Sequence, residues 1–269
     1  MAPYIFDQKN GIHIIDLHKS IVKIDEAADV LKQLARSGRK VLFVATKKQA
    51  KDIVAEKAAS VNMPYVTERW AGGMLTNFPT IRKAVKKMNT IDKMIEDGTF
   101  DTLAKRERLQ VTRQRAKLEK NLGSIKDLSR LPSALFVVDV QKEMNAVKEA
   151  NRLNIPVIAM VDTCCDPTPI DYVIPANDDA AKSISYIMDI LCQAINEGLN
   201  ERKLEKEKET PEAADDKQVA GKKLRSRKGA KAEDAAEETA PVAESAVEEA
   251  APAQEETPEA AEAPEADAE

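Results

Sequence analysis

The sequence predicts an α/β fold with a doubly wound, mostly parallel sheet. Short continuous apolar runs, namely VLFVA (41–45), ALFVVDV (134–140) and VIAMVD (157–162), are typical of strands covered on both faces. Amphipathic segments with helical spacing separate these runs, and this alternation is the pattern of a parallel sheet flanked by helices. Residues 78–132 break the alternation, which indicates an insertion into the sheet domain.

Capping residues mark the helices of the first half. Asp25 is placed to cap a helix that Gly38 ends. Thr46 and Gln49 have the capping-box spacing of a second helix. The first half is therefore predicted to contain strands at 12–17, 41–45 and 64–66 and helices at 25–38 and 46–61.

The second half repeats the alternation after residue 132. A helix of about a dozen residues separates the two buried strands, and YVI (172–174) is a last short strand. Asn177 is predicted to cap a helix from Asp178 to about Gly198. Asp178 and Asp179 then lie in the first turn, where a carboxylate interacts favourably with the helix dipole.

The C-terminal segment 199–269 has a different composition. It contains no aromatic residue and ends in an Ala/Glu/Pro mixture, so it is predicted to be a disordered tail. Residues 201–269 hold 11 basic and 21 acidic side chains, whereas residues 1–200 hold 30 basic and 25 acidic ones. The overall net charge of −5 therefore describes a mildly basic body with an acidic tail.

Residues 77–132 are predicted to form an antiparallel helical hairpin, or coiled coil. Apolar residues at helical spacing predict a first helix that ends before Gly98. Asp101 or Thr102 is placed to cap a second helix, which runs to about Leu122. The predicted domains are thus a sheet domain at 1–76 and 133–198, the hairpin insertion at 77–132, and the tail at 199–269.

The excess positive charge of the body is concentrated on this hairpin. Residues 82–130 contain 14 basic and 7 acidic side chains, a net charge of +7, which leaves the sheet domain near neutral. Lys and Arg presented on a rigid helical rod suit the phosphate backbone of a nucleic acid. The alternative is a salt-bridged, solvent-exposed coiled coil, because Glu107 and Glu119 lie among the basic residues.

The segment RWAGGMLTN (69–77) holds a glycine pair after a predicted strand, which raises the possibility of a nucleotide loop. It lacks the glycine spacing and the lysine of a Walker loop, and the nine glycines of the sequence nowhere form the Gly-x-Gly of a dinucleotide fingerprint. Gly72 and Gly73 are instead predicted to turn the chain tightly out of the sheet. Trp70 would be anchored nearby, and Thr76 or Asn77 would cap the first hairpin helix.

Three aspartates are candidates for a catalytic or metal site. Asp139 and Asp162 end two buried strands and Asp166 follows, so their carboxylates are expected at the ligand-binding edge of the sheet. The alternative is that each caps the turn after its strand. With two histidines and no Gly-x-Ser-x-Gly turn, the sequence offers no nucleophile–base pair. We therefore predict no catalytic residue, no metal and no cofactor.

The cysteines indicate a reducing compartment. Cys164, Cys165 and Cys192 are odd in number and include no Cys-x-x-Cys motif, and they are expected to be small buried or half-buried thiols. No signal peptide or apolar run of membrane-spanning length is evident. These features predict a cytoplasmic protein.

The order and spacing of several motifs resemble the bacterial ribosomal protein S2 family of the small subunit. RWAGGMLTN and IDYVIPANDD (170–179) are specific to that family and are not shared by generic α/β enzymes. The resemblance implies a flavodoxin-like or Rossmann-like domain with an inserted helical hairpin. The matching stretches are PYIFDQKNGIHIIDLHK (3–19), VLFVATKKQA (41–50), ERWAGGMLTNFPTIR (68–82), residues 132–184, and the basic hairpin between them.

The resemblance also implies a function. It implies a non-catalytic constituent of the ribosomal 30S subunit that binds rRNA mainly through the hairpin, acts late in assembly and helps hold the mRNA-binding ribosomal protein S1. Implied partners are small-subunit rRNA and neighbouring ribosomal proteins, with no membrane and no small-molecule substrate. From the residues alone, a small α/β enzyme and a non-ribosomal coiled-coil adaptor stay open. The candidate RNA-contact residues are Lys47, Lys48, Arg69, Arg82, Lys83, Lys86, Lys87, Lys105, Arg106, Arg108, Arg113, Arg115 and Lys117.

The sequence departs from the family pattern in two respects. Members usually carry a few dozen residues before the segment 1–4, including a His-rich, Trp-containing helix, so we carry over no contact from that region. Ala45 and Ala71 stand where the family usually has Gly and Leu, and Cys164 stands where it usually has Asn.

Overall fold

A computed structural model describes the backbone of residues 1–226 and the side chains as far as Glu207, whereas residues 227–269 lie outside the described part. No helix among the described residues is both long enough and apolar enough to cross a membrane. In chain order the elements are β1 (Ile5–Lys9), β2 (Ile12–Ile15), α1 (Leu17–Arg36), β3 (Val41–Val44), α2 (Lys48–Ser60), β4 (Tyr65–Val66), α3 (Phe78–Glu96), α4 (Thr99–Thr102), α5 (Lys105–Leu122), β5 (Ala134–Val138), α6 (Met144–Arg152), β6 (Val157–Val161), β7 (Tyr172–Pro175) and α7 (Ala181–Ser226).

Five parallel strands form the main sheet in the neighbour order β4-β3-β5-β6-β7. The chain winds outward in both directions from the β3–β5 pair, and this arrangement confirms the predicted doubly wound sheet. Phe43 of β3 is in register with Phe136 of β5, and their ring centroids are 5.3 Å apart. Between these two strands lies the topological switch point, which is where folds of this kind place ligands at the carboxyl ends of their strands.

Helices cover both faces of the sheet. Every residue of β3, β5 and β6 is buried, as expected for strands packed on two sides. One face packs against α1, α2 and α7, with Leu31, Val54 and Leu191 in its core. The other packs against α6 and the base of the α3–α5 pair, where Trp70 and Leu122 join the core. The helical insertion is therefore anchored in one of the two apolar layers.

The N-terminal region differs from its prediction. The strand expected at 12–17 lies outside the main sheet, where β2 pairs with β1 in an antiparallel hairpin. Asn10 (φ +52°) and Gly11 (φ +80°) make the tight turn, as the Asn-Gly dipeptide favours. The next helix starts at Leu17, and Asp16 caps it by accepting the His18 N–H at 3.1 Å. The predicted start at Asp25 is therefore wrong, whereas the predicted end at Gly38 (φ +72°) is confirmed.

Two further predicted caps are wrong. The Thr46 hydroxyl donates to the carboxylate of Glu143, and α2 begins at Lys48 with no side-chain cap. Gly98 (φ +73°) ends α3 as predicted. Beyond it Asp101 and Thr102 belong to the single turn α4, and α5 begins at Lys105 after an uncapped Ala104.

The last helix also starts and ends elsewhere. Asn177 Oδ1 accepts the N–H groups of Asp179 and Ala180 at 2.8 and 3.2 Å, and this turn precedes a helix that starts at Ala181. The helix does not stop at Gly198 but continues to Ser226. Ion pairs between α1 and α7 support the helix beyond Gly198. Lys32 pairs with both Glu197 and Glu201, and Arg36 pairs with Glu205. The rest of the predicted tail, residues 227–269, lies outside the described residues.

Candidate nucleic-acid interface

The RWAGGMLTN loop surrounds a carboxylate that belongs to the protein itself. Glu149, on α6, accepts the Trp70 indole N–H at 3.0 Å and the Gly73 N–H at 2.8 Å on Oε1. Its Oε2 accepts the backbone N–H groups of Leu75 at 3.0 Å and Thr76 at 3.2 Å, and the Thr76 hydroxyl at 3.3 Å. The glycine loop therefore does cradle an anion, but the anion is a side chain and not a nucleotide phosphate.

These donors keep Glu149 ionised. Burial by itself raises the pKa of the Glu149 carboxyl. The hydrogen bonds from Trp70 and from the amides of Leu75, Gly73 and Thr76 outweigh this effect, and the net pKa is below the usual value. Sequence reasoning missed Glu149 because one charged residue on an amphipathic helix carries no motif. Its position next to buried Ala150 and three residues after buried Ala146 is the one available signal.

The predicted roles of the loop residues are confirmed in part. Gly73 has φ +82°, the left-handed region that favours glycine, whereas Gly72 has no such requirement. Trp70 is buried in the core, as predicted. Asn77 occupies the N-cap position of α3, as predicted, but its Oδ1 accepts the Thr80 hydroxyl at 2.8 Å and no backbone N–H. The Thr76 hydroxyl donates to Glu149 instead.

The loop leads directly into α3, α4 and α5, which together we call the arm. Met88 and Ile91 of α3 and Leu122 of α5 are buried between the arm helices and at their base. Asp92 joins the two long helices, since it pairs with Arg115 at 2.5 Å and with Lys126 at 3.4 Å. The hydrogen bond from Arg115, helped by Lys126 and opposed by burial, lowers the pKa of Asp92. Asp92 thus ties α3 to α5 and to the segment that follows it.

The basic residues of the arm fall into two groups. Arg108 pairs with Asp101, Arg115 pairs with Asp92 and Glu119, and the Arg82 guanidinium donates to the Ser129 carbonyl. The other predicted contact residues of the arm are exposed and form no ion pair with any described residue; these are Lys83, Lys86, Lys87, Lys105, Arg106, Arg113 and Lys117. Lys48 and Arg69, outside the arm, are likewise exposed.

Each of the two long helices of the arm therefore carries a row of unpaired cations on one side. Arg106, Arg113 and Lys117 are spaced by seven and four residues on α5, so they lie along one side of that helix. Lys83, Lys86 and Lys87 have the corresponding spacing of three and four on α3. The salt-bridged alternative accounts for Arg108 and Arg115 but not for these six residues.

Lys47 is placed differently from the other candidates. Its side chain is 9% exposed, and its ammonium lies 2.7 Å from Asp178, 2.6 Å from Asp179 and 3.6 Å from Asp139. Burial lowers the pKa of Lys47, but hydrogen bonds with Asp178 and Asp179 outweigh this effect and the net pKa is raised. Because the ammonium faces inward, we leave Lys47 out of the surface proposed for RNA.

The ion pairs of Lys47 lie at the switch point between β3 and β5. Lys47 follows β3 and Asp139 follows β5, so the pair bridges the two strands at which the winding reverses. Asp178 is buried, and burial together with the nearby charges of Asp139 and Asp162 raises its pKa despite the contact with Lys47. The usual ligand position of the fold is thus occupied by an internal ion-pair network.

The predicted aspartate cluster has a partly different membership. Carboxylate oxygens of Asp162, Asp178 and Asp179 lie within 4.8 Å of one another, and Asp139 reaches the same place through Lys47. Asp166 is not part of this group, because its Oδ1 accepts the N–H and hydroxyl of Thr168 at 3.0 and 2.6 Å. Asp162 also holds its own turn, accepting the Thr163 N–H at 2.6 Å. Asp139 likewise accepts the Lys142 N–H at 3.2 Å on Oδ1. The turn-capping alternative therefore applies to all three predicted aspartates.

Two of the three cysteines have buried side chains. Cys165 and Cys192 are buried and Cys164 is exposed. Burial raises the pKa of Cys192 to about 11, and burial together with neighbouring Cys164 raises the pKa of Cys165 to about 12. Both buried thiols are therefore protonated at neutral pH, as small core side chains are.

The fold and this site define an α/β protein that carries a cationic helical arm. A family model described as Ribosomal protein S2 matches residues 1–198. A small ribosomal subunit protein uS2 of Phocaeicola vulgatus is 68% identical over 241 residues, which cover 89% of this chain and 85% of that protein. Proteins of the same name from Bacteroides fragilis (73% identical; 77% of this chain and 74% of that protein) and Flavobacterium johnsoniae (68%; 80% and 84%) are also similar.

The chain belongs to the ribosomal protein S2 family. It is therefore a structural constituent of the small ribosomal subunit and not an enzyme. The α/β enzyme and the non-ribosomal adaptor, which the residues alone left open, are excluded by this membership.

Proposed function

We propose that the chain binds small-subunit rRNA mainly through the arm. The observation that carries the proposal is the set of exposed basic side chains on α3 and α5 that have no acidic partner among the described residues. An unpaired cation on a rigid helix gains more from a phosphate than a paired one, because it breaks no existing ion pair on binding. Such contacts position a protein on RNA without reading its sequence.

Two features of the fold support this use of the arm. The core at its base and the Asp92–Arg115 pair keep the two helices together, so the cations are presented in a fixed arrangement. The Glu149 carboxylate fixes the loop through which the chain enters the arm. Less entropy is then lost on binding than with a flexible basic segment.

The proposal is tested by sedimentation and by RNA binding. The full chain, carrying an affinity tag, should sediment with 30S particles of the cytoplasmic ribosome in a gradient at moderate magnesium. The purified chain should bind a small-subunit rRNA transcript with an affinity that falls steeply as salt increases. Recovery only among free proteins, or binding that does not respond to salt, would contradict the proposal.

We further propose that neighbouring ribosomal proteins, the mRNA-binding protein S1 among them, pack on an apolar face of the sheet domain. Leu17, Ile21 and Tyr186 are 73, 57 and 69% exposed, and they border a cavity of about 580 Å³ between β2, α1 and α7. Apolar patches of this kind often mark protein interfaces. We expect Leu17→Lys with Tyr186→Lys to leave the fold intact and to lower the S1 content of 30S particles. An unchanged protein composition would argue against this face.

A further inference from the structure

A cavity of about 230 Å³ lies at the base of the arm, between α3 and the segment 125–129. Phe78, Val85 and Leu128 supply an apolar wall, and all three side chains are half-buried. Arg82 and Lys86 line the same cavity and are exposed to solvent. The cavity therefore joins an aromatic and aliphatic surface to a cationic rim.

One polar atom in this place lacks a partner. Asn89 lines the cavity, and its side-chain oxygen is buried without a hydrogen bond to any described residue. Buried acceptors are nearly always paired, because an unpaired one loses its hydrogen bonds with water and gains nothing in return. A ligand that brings an N–H group into the cavity would satisfy this oxygen once the Asn89 side chain turns toward it.

The cations beside the cavity are placed for an anion. The Arg82 guanidinium is fixed by its donation to the Ser129 carbonyl at 2.8 Å, which uses one of its five N–H groups. Lys86 has no ion pair among the described residues. Lys126 and Asp127 also line the cavity, and Lys126 is engaged by Asp92 at 3.4 Å. Arg82 and Lys86 therefore remain as the cations that can meet a phosphate.

A flat ring with an amino group, attached to a phosphate backbone, meets all of these requirements. We propose that the cavity receives one unstacked nucleobase of single-stranded or bulged RNA. The base stacks on Phe78, its exocyclic amine donates to Asn89 Oδ1, and the adjoining phosphates lie against Arg82 and Lys86. Single-stranded loops and bulges are where RNA offers splayed bases to aromatic side chains. The inference rests on the proposed binding of RNA by the arm and specifies one subsite within it.

The test uses the full chain and two RNA hairpins that differ in one feature. The first carries a single bulged 2-aminopurine, a fluorescent base with an exocyclic amine, and the second carries the same base in a fully paired stem. We expect the bulged RNA to bind at least fivefold more tightly, with a saturable change in 2-aminopurine fluorescence. A fivefold difference in affinity is the low end of what the stacking of a base on an aromatic side chain contributes.

Variants then assign the effect to the cavity. Phe78→Leu and Asn89→Leu should each remove the preference for the bulged RNA and leave the affinity for the paired stem within twofold. Asn89→Leu also deletes the unpaired buried oxygen, so its thermal stability should be at least that of the parent chain. Phe100→Leu, in the turn α4 at the far end of the arm, is the matched control and should change neither affinity.

The outcomes distinguish a failure of the base-binding cavity from a failure of RNA binding by the arm. Equal binding of the two hairpins, or no fluorescence change in the parent chain, overturns the base-binding cavity and leaves RNA binding by the arm intact. Failure to bind either hairpin contradicts the arm proposal itself, and the cavity falls with it.

Discussion

The indole Nε1–H of Trp70 donates to Oε1 of Glu149 at 3.0 Å, joining the loop before the arm to helix α6 on the sheet. The same oxygen accepts the Gly73 N–H, and the second carboxylate oxygen accepts two further amides. A single side chain thus holds the whole turn from which α3 departs. Because the turn sets the direction of α3, Glu149 positions the arm relative to the sheet.

Replacing the carboxylate should loosen this joint. In Glu149→Gln, an amide NH₂ replaces one acceptor oxygen and faces N–H groups that then lack a partner. We expect the free energy of unfolding to fall by about 2–3 kcal/mol, since hydrogen bonds to a charged group are the stronger kind. Urea denaturation measures the change. Glu56→Gln on the exposed surface of α2 is the control, and an equal effect of the two variants would contradict the role of Glu149.

The joint should also depend on pH in a defined direction. The pKa of Glu149 is lowered in the folded chain, so the carboxylate stabilises the fold fully above the usual glutamate pKa of about 4.3. This contribution is lost as pH falls through the lower, folded-state pKa. The stability difference between the parent chain and Glu149→Gln should therefore be constant from pH 7 to about 5 and shrink in more acidic solution. A difference that grows on acidification would reverse the expected sign.

Much of the fold follows from local sequence patterns, and the exceptions have identifiable causes. Strands β3, β5 and β6 were predictable because continuous apolar runs need cover on both faces. Asp25 has as good a local capping pattern as Asp16, so the sequence does not distinguish them. The Ser20 hydroxyl donates to the Pro175 carbonyl at 2.6 Å, which shows that the helix packs on the sheet from its first turn.

Long-range contacts explain the remaining errors. The sequence predicts a helix stop at Gly198. In the structure, a Cβ at this position would lie 2.4 Å from the Lys32 carbonyl oxygen, so glycine is required for α7 to pass close to α1. The sequence places Lys47 among the predicted surface cations, but Asp178 and Asp179, over 130 residues away in sequence, turn it inward. The role of Glu149 is hidden from local patterns for the same reason, because its partners come from a distant loop.

The two adjacent glycines of the loop should respond differently to the same substitution. Gly73→Ala places a Cβ on a left-handed residue (φ +82°) and 3.2 Å from the Asn77 Cβ. We expect a loss of about 1–2 kcal/mol in the free energy of unfolding. Gly72→Ala is the matched control, since a Cβ there meets no atom within 4 Å. Thermal or urea unfolding compares them, and equal stabilities would show that the turn does not require the left-handed glycine.

The switch-point network predicts a second matched pair. Lys47→Met removes the cation that faces Asp139, Asp178 and Asp179, and leaves the buried carboxylates of Asp139 and Asp178 without it. Losing one partner of a buried ion pair typically costs about 3–5 kcal/mol, so we expect a loss of that order in urea denaturation. Lys48→Met, one residue along the chain and exposed, should change stability by no more than about 0.5 kcal/mol. A small effect of Lys47→Met would mean that the aspartates are not held by this lysine.

The last prediction separates cations that are free to meet RNA from cations already engaged within the protein. One triple variant neutralises Arg106, Arg113 and Lys117 to Gln, all of which lack an ion pair among the described residues. The matched triple neutralises three residues of the same helix that are ion-paired, namely Arg108, Arg115 and Lys120.

The two triple variants change the net charge equally, so an effect of overall charge would lower RNA affinity equally in both. If the unpaired side chains contact phosphates, the first variant should reduce the slope of log affinity against log salt by about one for each residue lost. The second should bind with a slope closer to that of the parent chain and instead unfold more readily, because it breaks the ion pair of Arg115 with Asp92 that joins α3 to α5. Equal slopes for both variants would contradict the assignment of RNA contacts to the unpaired side of the arm.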